Sequence, residues 1–352
     1  MAPRPRPLLV ERTHHGHRLM YIALLATAAH ERGGRATVLL HPEAPNSTEY
    51  RIHLAPIEDR IDVRTAPAIT VAGILDAARE HHCDRIVVPD ADTLLPGFLR
   101  HGWRPLPVPA ALLVMRPESQ GGARSAVASA VKRTIMAVLR KRPSTTIYTL
   151  ASALRPAGPN EVSDPAIIDA SDTSIADLRA LAGLDNDRFW FAVIGAITGR
   201  KNVDLVLDAL AHLDHHHTGL LIAGRISSDI ADSLARAITT ARGSGARIAV
   251  VDDFLENEQV DAAVAAVDCV VLAHSNEGSS GILSKATRAG TRVLGAGARS
   301  LRQDVAIIGT GARWCPLDVD SLRATMAAML EEPAPTVLAS DGARDFLDKL
   351  LG

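Results

Sequence analysis

From residue 189 onward, short, wholly apolar runs alternate with stretches in which apolar residues recur every three or four positions. Residues 189–197 (FWFAVIGAI) form one such run, and it ends in a Gly-containing turn. Val203, Val206, Leu207 and Leu210 then follow at helical spacing. The alternation continues with strands predicted at 220–223, 247–251, 269–273 and 292–294. Helices are predicted at 228–241, 256–267, 280–289 and 318–330. Strands without a polar face, separated by amphipathic helices, are the pattern of a parallel sheet covered on both sides. Right-handed crossovers would make it a doubly wound, Rossmann-like domain.

The first half has the same rhythm, with more interruptions. Strands are predicted at 7–10, 37–40, 86–88, 111–115 and 145–150, and helices at 19–32 and 123–142. The Pro- and Gly-rich stretch RPAGPNEVSDP, near 155–169, reads as a connector. A last amphipathic segment, 341–351, is expected to be a helix that packs back on the first domain. The predicted architecture is therefore α/β, with two Rossmann-like domains, 1–160 and 161–340, facing a central cleft. Ligands of open α/β sheets sit at the carboxyl ends of the strands, so chemistry is sought there.

Composition narrows the classes. Of 352 residues, 47 % are hydrophobic and 22 % charged, enough apolar material for sizeable cores. No apolar run approaches the ~20 residues of a membrane-spanning helix. The apolar stretch before Glu11 is too short for the core of a secretory signal, so a cytoplasmic protein is expected. Cys83, Cys269 and Cys315 are few and far apart, which argues against a disulfide framework or a structural zinc site. Charge is divided unevenly. Residues 1–160 hold 21 Lys and Arg against 13 Asp and Glu, whereas the whole chain carries a net charge of −2. The basic excess is diffuse and has no aromatic stripe, so nucleic acid is not an expected partner.

Two loops carry the clearest chemical signals. Asn276-Glu277-Gly278-Ser279-Ser280-Gly281 lies between a predicted strand and a predicted helix. Small residues there allow close backbone approach, and the following helix offers free N–H groups that suit a phosphate. A Ser-capped helix after an ordinary turn is the simpler reading. Gly195-Ala196-Ile197-Thr198-Gly199-Arg200-Lys201 occupies the equivalent place after an earlier strand. Lysine is scarce, at only five positions, and Arg200 beside Lys201 provides two kinds of cation for a diphosphate. A solvated helix start is the alternative, but cations at a helix N-terminus oppose its dipole.

Residues 185–310, through FAVIGAITGRKNVDLVLDAL, LLIAGRI and VVLAHSNEGSSGILSKATRAGTRVLGAG, resemble the donor-binding domain of GT-B glycosyltransferases of the family 4 type. That family has two glutamates eight positions apart, followed five residues later by Gly. Glu277 and Gly290 hold the outer positions, while Lys285 stands at the second glutamate. The resemblance implies that Glu277 lies near the transferred sugar and that Gly195, Arg200, Lys201 and Gly278 to Gly281 hold the donor. It also implies a retaining reaction. The ribose contact of the second glutamate does not carry over, because an ammonium group donates hydrogen bonds and accepts none. Lys285 is expected either to point into the cleft and add positive charge beside the diphosphate, the favoured outcome, or to point out and leave the ribose site missing. Ala196 stands where the family often has Arg, and Arg200 is expected to replace that cation.

In the first half, His14, His15, Gly16 and His17 fall where the first strand turns into the first helix. Imidazoles there suit hydrogen bonding to sugar or phosphate, and His17 is a candidate general acid or base. A polar helix cap is the alternative, and without thiol or carboxylate company no metal is expected. Asp90 and Asp92 follow a strand and could face acceptor hydroxyls, or act as solvated caps. The helix at 123–142 carries Lys132, Arg133, Arg140, Lys141 and Arg142, which suit either its own C-terminal dipole or an anionic membrane surface.

The leading expectation is an enzyme that transfers a sugar from a nucleoside diphosphate to an unidentified acceptor, with no cofactor beyond its substrates. A nucleotide-sugar epimerase on the same scaffold and a non-catalytic binding protein remain as alternatives; Lys285 and Ala196 speak for the latter.

Overall fold

A computed structural model of the chain describes residues 4–14, 18–101, 105–115, 122–213, 217–277, 280–337 and 342–352. The chain divides into two compact units. One comprises Met1–Ala151, Ala157–Pro165 and Gly342–Gly352, and the other Ser152–Pro156 and Ala166–Asp341.

The first unit runs β1 (Pro7–Val10), α1 (Arg18–Glu31), β2 (Ala36–Leu40), α2 (Thr48–His53), β3 (Ile61–Thr65), α3 (Val71–Glu80) and β4 (Arg85–Val88). It continues with α4 (Leu95–Arg100), β5 (Ala110–Val114), α5 (Gly122–Leu139), β6 (Thr145–Ala151) and β7 (Glu161–Ser163). The second runs α6 (Asp172–Ala182), β8 (Phe189–Ile194), α7 (Val203–Leu210), β9 (Thr218–Ala223), α8 (Ala231–Gly243), β10 (Arg247–Val251) and α9 (Asn257–Ala265). Then come β11 (Cys269–His274), α10 (Gly281–Ala289), β12 (Arg292–Gly297), α11 (Arg299–Ile308), β13 (Ala312–Cys315) and α12 (Val319–Leu330). The last helix, α13 (Gly342–Leu351), belongs to the first unit, where Phe346 lies 5.2 Å from Tyr21 of α1, ring centre to ring centre.

Among the described residues the first sheet has seven parallel strands, ordered β3-β2-β1-β4-β5-β6-β7. The second has six, ordered β10-β9-β8-β11-β12-β13. Leu9 of β1 pairs with Val38 on one side and Val87 on the other, and Cys269 of β11 pairs with Phe191 of β8. Each sheet buries apolar side chains on both faces. Leu8 and Val10 serve one core of the first unit and Leu9 the other, as strand alternation requires. These are two doubly wound, Rossmann-like sheets. In each, successive strands are added first to one side and then to the other. The reversal falls between β1 and β4 in the first sheet and between β8 and β11 in the second. At such a switch point the crossovers diverge and leave a crevice at the strands' carboxyl ends.

The structure adds elements that the hydrophobic pattern did not announce. β3 (IDVRT) and β13 (ARWC) are partly exposed strands at the sheet edges, so neither reads as a continuous apolar run. β7 lies inside the stretch expected to be a connector; three residues are too few to show a period, and Val162 alone fills the core. Helix α11 buries Leu301 and Val305 among charged neighbours. Among the described residues, no helix is long and apolar enough to cross a membrane.

Candidate functional site

The β8/β11 edge of the second unit gathers both loops singled out from the sequence. After β8 the chain turns at Gly195, where φ is +93°, a value that favours glycine. A Cβ there would stand 3.5 Å from Lys201 Nζ and 4.0 Å from Ile282 Cδ1 in the first turn of α10. Gly195, Lys201 and the start of α10 thus occupy one small region. Gly224, after β9, lies still closer, since a Cβ on it would meet the carbonyl oxygen of Gly195 at 2.2 Å.

Lys201 is buried and donates to the carbonyl of Ile194. Burial, together with the neighbouring charge of Arg200, pulls its ammonium down to about 8. Arg200 is exposed beside it. The next residue, Asn202, adopts a left-handed conformation and donates from Nδ2 to the Ala273 carbonyl at 2.7 Å, tying this turn to the end of β11. Ser275 N–H donates to the Arg200 carbonyl at 3.1 Å. His274, which the sequence reading passed over, ends β11 close enough to both cations to be pulled down to about 3, chiefly by burial, so it is neutral. Its signal was a polar residue closing an otherwise apolar strand. The Thr198 Oγ1 and Asn276 Oδ1 atoms are buried here without hydrogen-bond partners among the described residues.

Ser280 caps α10, its hydroxyl accepting from Leu283 N–H at 3.3 Å, and Gly281 has open space where a side chain would project. Gly278 and Ser279 lie outside the described residues. Glu277 accepts N–H bonds from Arg299 and Ser300, at 2.9 and 2.8 Å, in the first turn of α11. Partial burial opposes its ionisation, but these hydrogen bonds prevail and hold the carboxyl below the usual range. Lys285 is placed differently from the sequence expectation. It is buried, ion-paired with Asp261 of α9, and donates to the Ile167 carbonyl at 2.8 Å. Asp261 also accepts the N–H of Asp169 at 2.9 Å. This ammonium is committed to holding the segment around 167–169 against α9 and α10, rather than to an anion beside α10.

The β1/β4 edge of the first unit is a second polar cluster. Arg18 Nε pairs with Asp90 at 2.7 Å, and Lys132 of α5 pairs with Asp92 at 2.7 Å. The two aspartates are therefore ion-paired and partly buried, and Asp90 also accepts the Asp92 N–H at 3.3 Å. Arg12 donates to Thr93 Oγ1 at 2.8 Å. Glu11, which no sequence motif marked, is buried at the end of β1. His14 is partly buried nearby in sequence, whereas His15, Gly16 and His17 lie outside the described residues.

Neither family models nor curated proteins match the sequence. Solved structures do match the fold over nearly its whole length. A glycosyltransferase from Rickettsia africae superposes with a TM-score of 0.68 at 11 % identity, covering 99 % of this chain and 92 % of that one. Anabaena HepE in complex with UDP-glucose gives 0.68 at 16 % identity, covering 98 % and 95 %. Sucrose-phosphate synthase from Thermosynechococcus elongatus gives 0.65 at 14 % identity, covering 99 % and 95 %. The fold is GT-B. Within this GT-B chain, the two loops that sequence reasoning selected in the second unit are brought together, and Lys285, four residues into α10, is turned to a different task.

Proposed function

We propose that the chain is a glycosyltransferase that moves a sugar from a nucleoside diphosphate to an acceptor, with the donor bound at the β8/β11 edge. The observation that carries this reading is the convergence of Gly195, Lys201 and the N-terminal turn of α10 within about 4 Å at a switch point. Glycine at Gly195 leaves room for an anion, and α10 directs free N–H groups and the positive end of its dipole towards it. Arg200 can fork two phosphate oxygens while Lys201 supplies a compact charge. Thr198 and Asn276 offer buried polar atoms that a donor could satisfy.

In the reaction, the bond between the sugar and the diphosphate breaks and negative charge grows on the leaving oxygen. On this reading Arg200, Lys201 and the α10 N-terminus lie beside that charge and stabilise it. Glu277, held ionised by α11, would act as the sugar-side carboxylate that the family resemblance implies. Stabilisation of the leaving group by these cations requires no metal, and retention of configuration follows the family resemblance. Among the solved structures of the same fold, HepE was crystallised with UDP-glucose, which makes UDP a reasonable first probe. For the acceptor side, α5 exposes Val127 and Val131 one turn apart on a helix with basic residues, and this is the proposed point of peripheral membrane contact.

Calorimetry with UDP and other nucleoside diphosphates tests the donor site. Arg200→Ala and Lys201→Ala are each expected to weaken binding by ~1–3 kcal/mol, the range for a charged hydrogen bond. Unchanged affinity in both variants would return these residues to the role of a solvated helix start. Release of nucleoside diphosphate from a nucleotide sugar separates a transferase from an epimerase or a binding protein.

A further inference from the structure

The carboxyl edge of β1 and β4 contains a buried group that the proposed donor chemistry does not use. Glu11 is 3 % exposed and extends the sheet by one residue, its N–H donating to the Leu39 carbonyl at 3.1 Å. Oε1 accepts the N–H of Thr13 at 2.8 Å. Oε2 is buried and, among the described residues, has no hydrogen-bond partner. A buried carboxyl oxygen left unpaired is costly, and native chains place few of them. This one stands at the switch point of its sheet, where the crossovers diverge and open α/β sheets place their ligands.

The neighbours define what would fit. Asp90, at the end of β4, is already occupied by Arg18 Nε at 2.7 Å and by the N–H of Asp92 at 3.3 Å. Burial first, and the charge of Asp90 second, push the Glu11 carboxyl up to about 8, against the opposing effects of Arg18 and the Thr13 and Arg12 N–H groups. At neutral pH it is a carboxylic acid, able to donate one hydrogen bond and accept another. A hydroxyl group has the same dual capacity. An anion would meet the charge of Asp90, and a cation would compete with Arg18 for it.

We propose that Glu11, beside the Arg18–Asp90 ion pair, is a specificity residue that binds a hydroxyl of a neutral polyhydroxylated ligand at the β1/β4 edge. Identifying that ligand as the sugar-like acceptor rests on the glycosyltransferase reading, whereas the site itself rests on the first unit alone.

The test uses the full chain and two independent readouts. Saturation-transfer NMR reports binding of glucose, galactose, mannose and myo-inositol, and calorimetry reports binding of UDP. Wild type is expected to give a signal with at least one polyol at neutral pH and to lose it as pH rises through about 8, where Glu11 ionises. Glu11→Gln keeps an acceptor for Thr13 N–H and a donor at the other position, so it should retain the signal and no longer lose it at high pH. Glu11→Leu should lose the signal at every pH with UDP binding unchanged. Absence of a signal from wild type with all four polyols, or equal signals and equal pH profiles in wild type and Glu11→Gln, would overturn the proposal. In either case UDP binding would still stand as the separate test of the donor site. A Glu11-dependent polyol signal without UDP binding would keep the subsite and remove the donor reading.

Discussion

Lys201 shows how position changes the chemistry of a single side chain. A lysine on a solvated helix start keeps its charge far above neutral pH, but this one is buried beside Arg200 and titrates near 8. A diphosphate would favour the charged form and raise it again. Between about pH 8 and 10 the free protein has partly lost this proton and the complex keeps it, so UDP binding should take up a proton in that window and none at Lys201 near pH 6. Calorimetry in two buffers of different ionisation enthalpy measures the uptake, and Lys201→Ala should abolish it. Tight binding with no uptake would place the anion elsewhere. Lys285 is the contrasting case. Its partner Asp261 is almost fully buried, so Lys285→Ala would leave an uncompensated carboxylate inside the second unit. Breaking such a pair costs about 3–5 kcal/mol. Replacing both members with Lys285→Met and Asp261→Leu should recover much of the loss in denaturant melts. If Lys285→Ala unfolded like wild type while UDP affinity fell, a ligand-binding role would be restored.

At the scale of elements, short loops carry function because rigid strands and helices fix both of their ends. The Gly199–Lys201 turn is held by Asn202 to the carbonyl of Ala273, and Glu277 is held by the first turn of α11. The first loop is therefore anchored to β11, which borders the switch point, and the second to the helix that follows β12. Helix α5 is a different type of element, since its Val127 and Val131 are 64 % and 54 % exposed. If this face meets an anionic membrane, Val131→Asp should markedly reduce co-sedimentation with vesicles containing phosphatidylglycerol, and added salt should weaken wild-type binding. Neutral vesicles should bind poorly in both cases. Equal co-sedimentation of the variant and wild type would exclude this face.

For the whole molecule, two sheets of the same topology present two switch points with different chemistry. The second unit offers cations and a helix N-terminus, and the first offers carboxyl groups already balanced by Arg18 and Lys132. An anionic donor and a neutral hydroxyl-bearing ligand would therefore sort between them by charge. Hydrogen exchange can read this sorting. UDP should slow exchange mainly at 195–202 and 281–284 and leave residues 11–13 close to their free rates. Protection confined to the first unit would refute the donor assignment.

What the sequence determined by itself is the part that depends on neighbours along the chain. Apolar runs at 189–197 and 269–273 must hold buried strands. Ser280 before an amphipathic run must cap a helix, and a Gly-rich turn with Arg200 and Lys201 must lie at a strand's exit. Tertiary structure decided the partners. Lys285 meets Asp261 from 24 residues away, Glu277 meets the N–H groups of Arg299 and Ser300, and Arg18 meets Asp90 across 72 residues. Glu11 could not be distinguished in sequence from any charged residue after a strand. Its significance comes from burial at the β1/β4 edge next to Asp90, and that edge exists only because β4 is added beside β1 rather than beyond β3. Periodicity reports which face of an element is apolar, whereas the charge state of a buried side chain depends on what the strand order places against it.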